Sequence, residues 1–415
     1  MKLTVVGGGS TYTPELIDGL ARRHDRLPVT EIVLVDPDQA RLAAVGPVSQ
    51  RILAAYGHPG TLRWTTSLDS GLDGTSAVLL QLRVGGQAAR HRDETWPLEC
   101  GCVGQETTGA GGLAKALRTV PVVLDIAARA PAGAWIVDFT NPVGIVTRAL
   151  LDAGHRAVGL CNVAIGFQRR FAGLLDVPPS AVALDHVGLN HLTWERAVRV
   201  SGVDVLPDLL AKHADELAEE IELPAPLIRE LGVVPSYYLR YFYAHDEVVE
   251  SLRGRPTRAQ QVAELEVRLL EMYADPALDR KPALLEQRGG AYYSEAAVDL
   301  LASLTAGTGD VQVVNVRNQG TLPFLPDESV IEVPAVIGAS GARPVAVAPV
   351  EPLYAGLIAH VSAYEDLAVD AALHGGRDRV FKALLAHPLV GQADRAGWLT
   401  DRLLAENARY LPWSS

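Results

Sequence analysis

The feature that most constrains this chain lies at its start, where a short apolar run breaks on consecutive glycines. Residues 3–6 are β-prone, and Gly7, Gly8 and Gly9 follow, then Ser-Thr-Tyr-Thr-Pro. Residues 15–23 put Leu16, Ile17 and Leu20 on one stripe, the mark of an amphipathic helix. Thr13 is its expected cap and Pro14 its first residue. A second apolar strand occupies residues 31–36. Strand, glycine turn, helix and strand make a βαβ unit beginning at residue 2. Gly7 and Gly9 match the first two glycines of a dinucleotide-binding turn, and Tyr12 stands where the third would be. Gly7 permits the tight turn and Gly9 lets the backbone approach a pyrophosphate. Beyond Ser10 and Thr11, the helix N-terminus offers free N–H groups. Asp36, at the end of the second strand, can accept from ribose hydroxyls, which favours NAD over NADP. The same turn also serves α/β proteins that bind other ligands.

The alternation continues. Helical stretches at 39–56, 113–130 and 145–152 separate apolar runs at 63–66, 77–84, 135–139 and 157–160. The expected fold class is α/β: an N-terminal Rossmann-like doubly wound sheet over residues 1–170. Beyond residue 180 the pattern changes. A hairpin is expected at 198–205, helices at 206–221, 258–273 and 292–306, β-prone segments at 311–337, and helix again at 352–385. Residues 171–415 therefore read as a mixed α+β domain packed tightly on the first, for substrate, metal and subunit contacts. The formal charge of −12 leaves no electrostatic footprint for nucleic acid or an anionic membrane. No run approaches the ~20 apolar residues of a spanning helix. Three cysteines suggest no disulfide framework and fit a cytoplasmic setting.

Polar groups cluster where parallel strands should end, which is where open α/β sheets bind ligands. Gln81-Leu82-Arg83, Asn141-Pro142 and Cys161-Asn162 each follow an apolar run. Cys161 reads as a buried small hydrophobe, a thiolate metal ligand, or a nucleophile paired with His191. A metal held by two protein ligands would keep positions open for substrate, as Lewis-acid catalysis requires. Residues 105–112 read as a glycine-rich loop before a helix, either a plain connection or a substrate cover. The aromatic run 237–243 reads as packing, or as a tyrosine base whose pKa Arg240 or a metal lowers. Arg288-Gly289-Gly290 reads as an anion-contacting turn.

Together these segments resemble glycoside hydrolase family 4, most closely its 6-phospho-β-glucosidase branch. The resemblance is carried by GGGSTYTPEL at 7–16, QLRVGG at 81–86, GQETTG at 104–109 and FTNPVGIVT at 139–147. It continues through CN at 161–162, GLNH at 188–191, YLRY at 238–241 and RGGAYYSEAA at 288–297. It implies an NAD- and Mn²⁺-dependent glycosidase, the exception to two-carboxylate hydrolysis. The implied sequence is oxidation at C3 of the sugar, deprotonation at C2, elimination at C1, addition of water and reduction at C3. It further implies Cys161 and His191 as metal ligands, and Tyr238 as the C2 base with Tyr237 adjacent. Asn162 beside the metal cysteine points to β-configured substrates, and Glu106 belongs to the catalytic pocket. Arg83, Asn141, Arg258 and Arg288 are implied as substrate contacts, the arginines holding a 6-phosphate. The implied partner is a small phosphorylated glycoside, and the implied assembly a homodimer or homotetramer. Two departures, Ala110 and Ala164 where the family often has proline, loosen the backbone without removing a reacting group. Family action on an unphosphorylated sugar or uronide, and a simple sugar dehydrogenase, are the competing enzymatic readings. A dinucleotide-sensing protein is the non-enzymatic one.

Overall fold

The computed structural model describes residues 1–290 and 292–413. Ala291, within the RGGAYYSEAA segment, lies outside the described residues. The strands are β1 Lys2–Val6, β2 Glu31–Val35, β3 Thr61–Thr65, β4 Ala77–Leu80, β5 Trp135–Asp138 and β6 Ala157–Gly159. Beyond them come β7 Val182–Leu189, β8 Leu192–Val200, β9 Val203–Asp204, β10 Val234–Pro235, β11 Asp310–Arg317, β12 Val330–Gly338 and β13 Gly341–Pro344. The first six pair in parallel in the order β3-β2-β1-β4-β5-β6. That is the doubly wound order, and the winding reverses between β1 and β4. β4 is buried at every residue, as a strand covered on both faces must be. The N-terminal half is thus the expected Rossmann-like sheet, and the remainder is the expected mixed α+β region.

The two parts share one sheet. β11 joins β6 antiparallel through Asn315 and Gly159, and β12 joins β7 through Glu332 and Gly188. The expected division at 170/171 falls inside the helix Val163–Leu175. The turn between β8 and β9 is the hairpin expected at 198–205. Helices Leu206–Ile221 and Arg258–Tyr273 lie where periodicity put them. Among the described residues no helix is long and apolar enough to cross a membrane.

Two local expectations are corrected. Thr13 does not cap the first helix, Thr13–Arg22; it is the helix's first residue, and Tyr12 holds the cap position without a side-chain bond. The Thr13 hydroxyl instead donates to the Gly8 carbonyl at 3.0 Å and accepts from Gln81 Nε2 at 2.8 Å, tying the glycine turn to the end of β4. Gly109–Gly112 do not form a flexible cover; they begin the helix Gly109–Arg129 and are buried. A Cβ at Gly111 would lie 2.3 Å from the Gln105 carbonyl oxygen and 2.5 Å from that of Asp93. Close packing against neighbouring backbone explains these glycines. Ala110 and Ala164 both sit in first turns of helices, where the chain is helical without a proline.

Candidate active site

A cleft of about 1160 Å³ opens at the carboxyl ends of β1 and β4, where the winding reverses. Gly7, Gly9, Ser10 and Asp36 line one end. Gly7 and Gly8 both donate to the Val35 carbonyl at 2.9 Å. Gly7 adopts φ +87°, a left-handed conformation that favours glycine. The Gly9 N–H donates to Asp36 Oδ2 at 3.0 Å, and Asp38 N–H to Asp36 Oδ1 at 3.0 Å. Asp36 is thus aimed beside the turn by two backbone donors. Thr11 lies beneath this surface, fully buried. Its hydroxyl accepts from Arg288 Nε at 2.8 Å, and Arg288 also reaches Ser10 Oγ at 3.3 Å. Glu266 accepts from Arg41 at 2.5 Å and from Arg288 at 3.4 Å, holding both cations at the glycine turn.

The central floor is ionic. Glu106 accepts from Arg83, from Lys115 at 2.7 Å and from Arg90 at 3.1 Å. Burial alone would raise its pKa, but Arg83, Lys115 and Arg90 together hold it well below the usual carboxylate range. Burial, with Arg83 beside it, brings Lys115 down to about 7 against the pull of Glu106. Asn141 and Gln81 also line the cleft, and Asn141 Oδ1 and Gln81 Oε1 are buried without a hydrogen-bond partner. Orphaned acceptors of this kind are costly unless a ligand donates to them. Thr140 Oγ1 accepts from the Leu82 N–H at 3.2 Å, joining two of the strand-end loops.

Beyond this floor stand Cys161, His191 and Tyr238. Cys161 follows β6, and its thiol hydrogen-bonds with Tyr293 and Asn190. Burial, with Glu332 nearby, raises its pKa. His191 occupies the turn between β7 and β8 at φ +63°. Its Nδ1 meets Thr107 Oγ1 at 2.9 Å, and burial lowers its pKa to about 3, so the ring is neutral at physiological pH. A neutral imidazole with Nδ1 engaged leaves Nε2 as a metal donor. A deprotonated thiol and a neutral imidazole can hold a divalent first-row cation, with substrate or water oxygens completing the shell a harder ion such as Mn²⁺ needs. Among the described residues no group of three or more His, Cys, Asp and Glu side chains is clustered to hold a metal.

Tyr238 stacks on His191, ring centroids 3.6 Å apart and planes 13° apart. The Tyr237 ring lies tilted against Tyr238, centroids 4.1 Å and planes 30° apart. Burial, then Tyr237 and Cys161, push the Tyr238 phenol well above its ordinary pKa. Arg240 does not lower it as its adjacency suggested. Its guanidinium donates to Tyr241 Oη at 3.2 Å and pairs with Glu222.

Asn162 stands half-buried at the cap of the helix Val163–Leu175. Arg258 lines the cleft and donates to the Gln287 carbonyl at 2.7 Å. Arg83, Arg258 and Arg288 thus face one cleft, each with a partner of its own. Sequence reasoning missed Arg90, Lys115, Glu266 and the bond of Thr107 to His191; Glu266 and Thr107 find partners distant along the chain, whereas Arg90 and Lys115 meet Glu94 and Glu106 nearby. It also missed a buried chain of charges behind the site. His186 lies between Glu195 at 2.6 Å and Glu332 at 3.1 Å, and Glu332 accepts from Asn190 at 3.0 Å and Asn315 at 2.8 Å. Burial disfavours an imidazolium there, yet the two carboxylates outweigh it and raise His186 to about 10.

Comparison with known proteins finds the family 4 glycosyl hydrolase profile over residues 2–177 and the family 4 glycosyl hydrolase C-terminal domain profile over residues 186–390. A probable 6-phospho-β-glucosidase of Bacillus subtilis (strain 168) is 37% identical over 430 residues, covering 99% of this chain and 97% of the relative. The 6-phospho-β-glucosidase of Escherichia coli (strain K12) is 34% identical, covering 99% and 96%. The 6-phospho-β-glucosidase structure from Thermotoga maritima with manganese, NAD⁺ and glucose-6-phosphate superposes with a TM-score of 0.93 at 31% identity, covering 99% of each chain.

Proposed function

The chain belongs to glycosyl hydrolase family 4, on its 6-phospho-β-glucosidase side, and from that premise we propose that it hydrolyses 6-phospho-β-glucosides with NAD⁺ and a divalent metal, Mn²⁺ for preference. The observation that carries the reading is that Tyr238 lines the glycine-turn cleft while its ring stacks on His191, which lines the small neighbouring pocket. A dinucleotide in the cleft and a cation at Cys161 and His191 would supply reversible oxidation at sugar C3 and Lewis acidity at the C2 and C3 oxygens.

The chain's own residues do the rest. Gly7, Gly9 and Ser10 line the cleft with little side-chain bulk, leaving the backbone open to close approach by the pyrophosphate, and Asp36 accepts from the ribose. Tyr238 takes the proton at C2, whose acidity rises once C3 is a ketone; the bond to the aglycone at C1 then breaks by elimination. Its phenol needs positive charge nearby to ionise near neutral pH, and Cys161 and His191 are the donors that would bring it. Glu106, held as a carboxylate, is a poor proton donor; it fixes Arg83 and Lys115 against the substrate. Asn141 Oδ1 is free to accept from a sugar hydroxyl. Arg83, Arg258 and Arg288 are the candidates for the 6-phosphate. Asn162, an amide where an acid would protonate an α-linked leaving group, fits β-configured substrates.

The test is an aryl 6-phospho-β-glucoside incubated with reduced protein in D₂O, with and without NAD⁺ and Mn²⁺. Release of the aglycone that needs both, with deuterium at C2 and no net NADH, supports the reading. Cleavage that survives removal of both cofactors refutes it. Stoichiometric NADH would instead mark a dehydrogenase, and faster turnover of the unphosphorylated glycoside or a uronide would mark the other family activity.

A further inference from the structure

Cys100 and Cys102 take no part in the chemistry above, yet Cys102 lies only four residues before Glu106 in the cleft floor. The turn Trp96–Cys100 reverses at Gly101, which adopts φ +75°. The Gly101 N–H donates to the Leu98 carbonyl at 3.2 Å and the Cys102 N–H to that of Pro97 at 3.0 Å. This reversal sets the two side chains beside one another, and the Cys100 thiol donates to the Pro97 carbonyl at 3.5 Å. Cys100 is half-buried and reachable from solvent, whereas Cys102 is buried. The neighbouring Cys102 lowers the pKa of Cys100 against its partial burial, and Arg395 contributes in the same direction. A reachable thiol of lowered pKa beside a shielded second thiol is the arrangement of a sulfenate-forming cysteine and its resolving partner.

We propose that Cys100 and Cys102 are an oxidation site, closing to a reversible disulfide when the protein meets hydrogen peroxide. The Cys100 thiolate attacks the peroxide: an S–O bond forms, the O–O bond breaks, and water leaves after protonation. The Cys102 sulfur then attacks the Cys100 sulfur: the S–S bond forms, the S–O bond breaks, and a second water leaves with the Cys102 proton. Both sulfurs are oxidised, the peroxide is reduced, and a dithiol reverses the change.

The pair is mechanically joined to the cleft. Cys102 leads through Val103, Gly104 and Gln105 to Glu106 and Thr107. That short segment has little slack. Val103 is buried, and a Cβ at Gly104 would lie 2.0 Å from the Glu94 carbonyl oxygen. Gln105 Oε1 accepts from the N–H groups of Thr107 and Thr108. Drawing the neighbouring sulfurs into a covalent bond of about 2.05 Å breaks the Cys100–Pro97 hydrogen bond and pulls on this segment. Its far end holds Glu106 in the ionic floor and Thr107 on His191 Nδ1. The disulfide itself is independent of the proposed function; its effect on turnover rests on that reading.

The test oxidises the NAD⁺- and Mn²⁺-loaded protein with near-stoichiometric hydrogen peroxide, then alkylates and digests with trypsin. One peptide, residues 93–115, carries Cys100 and Cys102 and excludes Cys161. The expected result is that this peptide becomes lighter by two hydrogens and resists alkylation. Turnover of an aryl 6-phospho-β-glucoside should then fall about tenfold or more and return with dithiothreitol. Cys100→Ser and Cys102→Ser should keep their unoxidised activity and resist the oxidant. Alkylation of both cysteines after peroxide overturns the oxidation site, whatever the enzyme's activity proves to be. A disulfide that leaves turnover unchanged overturns its link to the cleft, as does equal inactivation of Cys100→Ser.

Discussion

Replacing Gly8 and Gly9 one at a time by alanine separates fold from cofactor within two adjacent residues. A Cβ at Gly8 would sit 2.7 Å from Leu34 Cβ and 2.9 Å from Leu34 Cα. Leu34 is fully buried in a central strand, so the neighbour that must move is core backbone. Overpacking of that kind costs about 1–3 kcal/mol and should lower the apo unfolding midpoint. A Cβ at Gly9 would sit 2.9 Å from Arg41 Cβ and from Asp36 Cγ and Oδ2. Gly9 is not in the left-handed region, so the backbone itself is not strained. The groups displaced are the half-exposed Asp36 carboxylate, whose lost N–H partner water can replace, and Arg41 in the first turn of the helix Gln39–Ala55, where a small shift of the helix end relieves the contact. The fold loses little, but the carboxylate no longer faces the ribose. Loss of a hydrogen bond to a charged acceptor is worth about 1.5–3 kcal/mol. This corresponds to roughly 10- to 150-fold in the NAD⁺ dissociation constant. Titration calorimetry with NAD⁺, alongside thermal unfolding without it, reads both quantities. Gly9→Ala binding NAD⁺ within twofold of the parent would refute the assignment of Asp36 and the turn to a dinucleotide. Gly9→Ala unfolding as early as Gly8→Ala would refute the packing argument.

Tyr238→Phe should lower kcat by about 10²–10⁴-fold and abolish exchange of the C2 proton with D₂O, while Tyr237→Phe keeps the exchange; the opposite result moves the base to Tyr237. Thr107→Val removes the partner of His191 Nδ1 and should weaken Mn²⁺ binding about 10–100-fold, and His191→Ala should weaken it further; paramagnetic titration of Mn²⁺ checks both, and unchanged affinity in His191→Ala rejects the Cys161/His191 site. His186 is raised from 6.5 to about 10, so its stabilisation is full below pH 6.5 and is lost as pH rises through about 10. Urea midpoints of the parent should decline across that window, and His186→Gln should remove that component of the decline; an unchanged slope would mean that His186 is not charged in the folded chain.

What was legible in the sequence follows from the range over which each signal acts. The βαβ unit is local: strand, glycine turn and helix lie within the first 35 residues, and their periods and breakers sit side by side. The same holds for the helices Leu206–Ile221 and Arg258–Tyr273, whose bounds the pattern reproduces. Strand ends were legible too, which is why Gln81, Arg83, Asn141 and Cys161 could be named before their neighbours were known. Thr13 shows where local reading fails. A threonine before Pro-Glu-Leu looks like a cap, but β4 brings Gln81 across 68 residues to claim its hydroxyl. The glycines at 109–112 fail for the same reason, since flexibility and close packing require the same residue and only the neighbouring carbonyls distinguish them. The helix Ala393–Asn407 also went unread.

The larger omission has a single physical origin. Glu332 and Asn315 lie on β12 and β11, and sequence order places them far from His186, Asn190 and Cys161. The antiparallel strands bring them to the seam of the sheet, where Asn315 pairs with Gly159 and Glu332 with Gly188. Charged groups fully buried at a sheet seam require partners. Here His186, Asn190 and Asn315 satisfy Glu332. Asn190 also contacts the Cys161 thiol, so the seam joining the two halves is bonded to the residue proposed to hold the metal. An isolated N-terminal half would keep the glycine turn, Asp36 and Cys161, but it would lose Asn190, His191 and Tyr238 together. Joining the halves through one sheet is therefore what brings the glycine turn and Tyr238 to one cleft, as the proposed dinucleotide site and C2 base require.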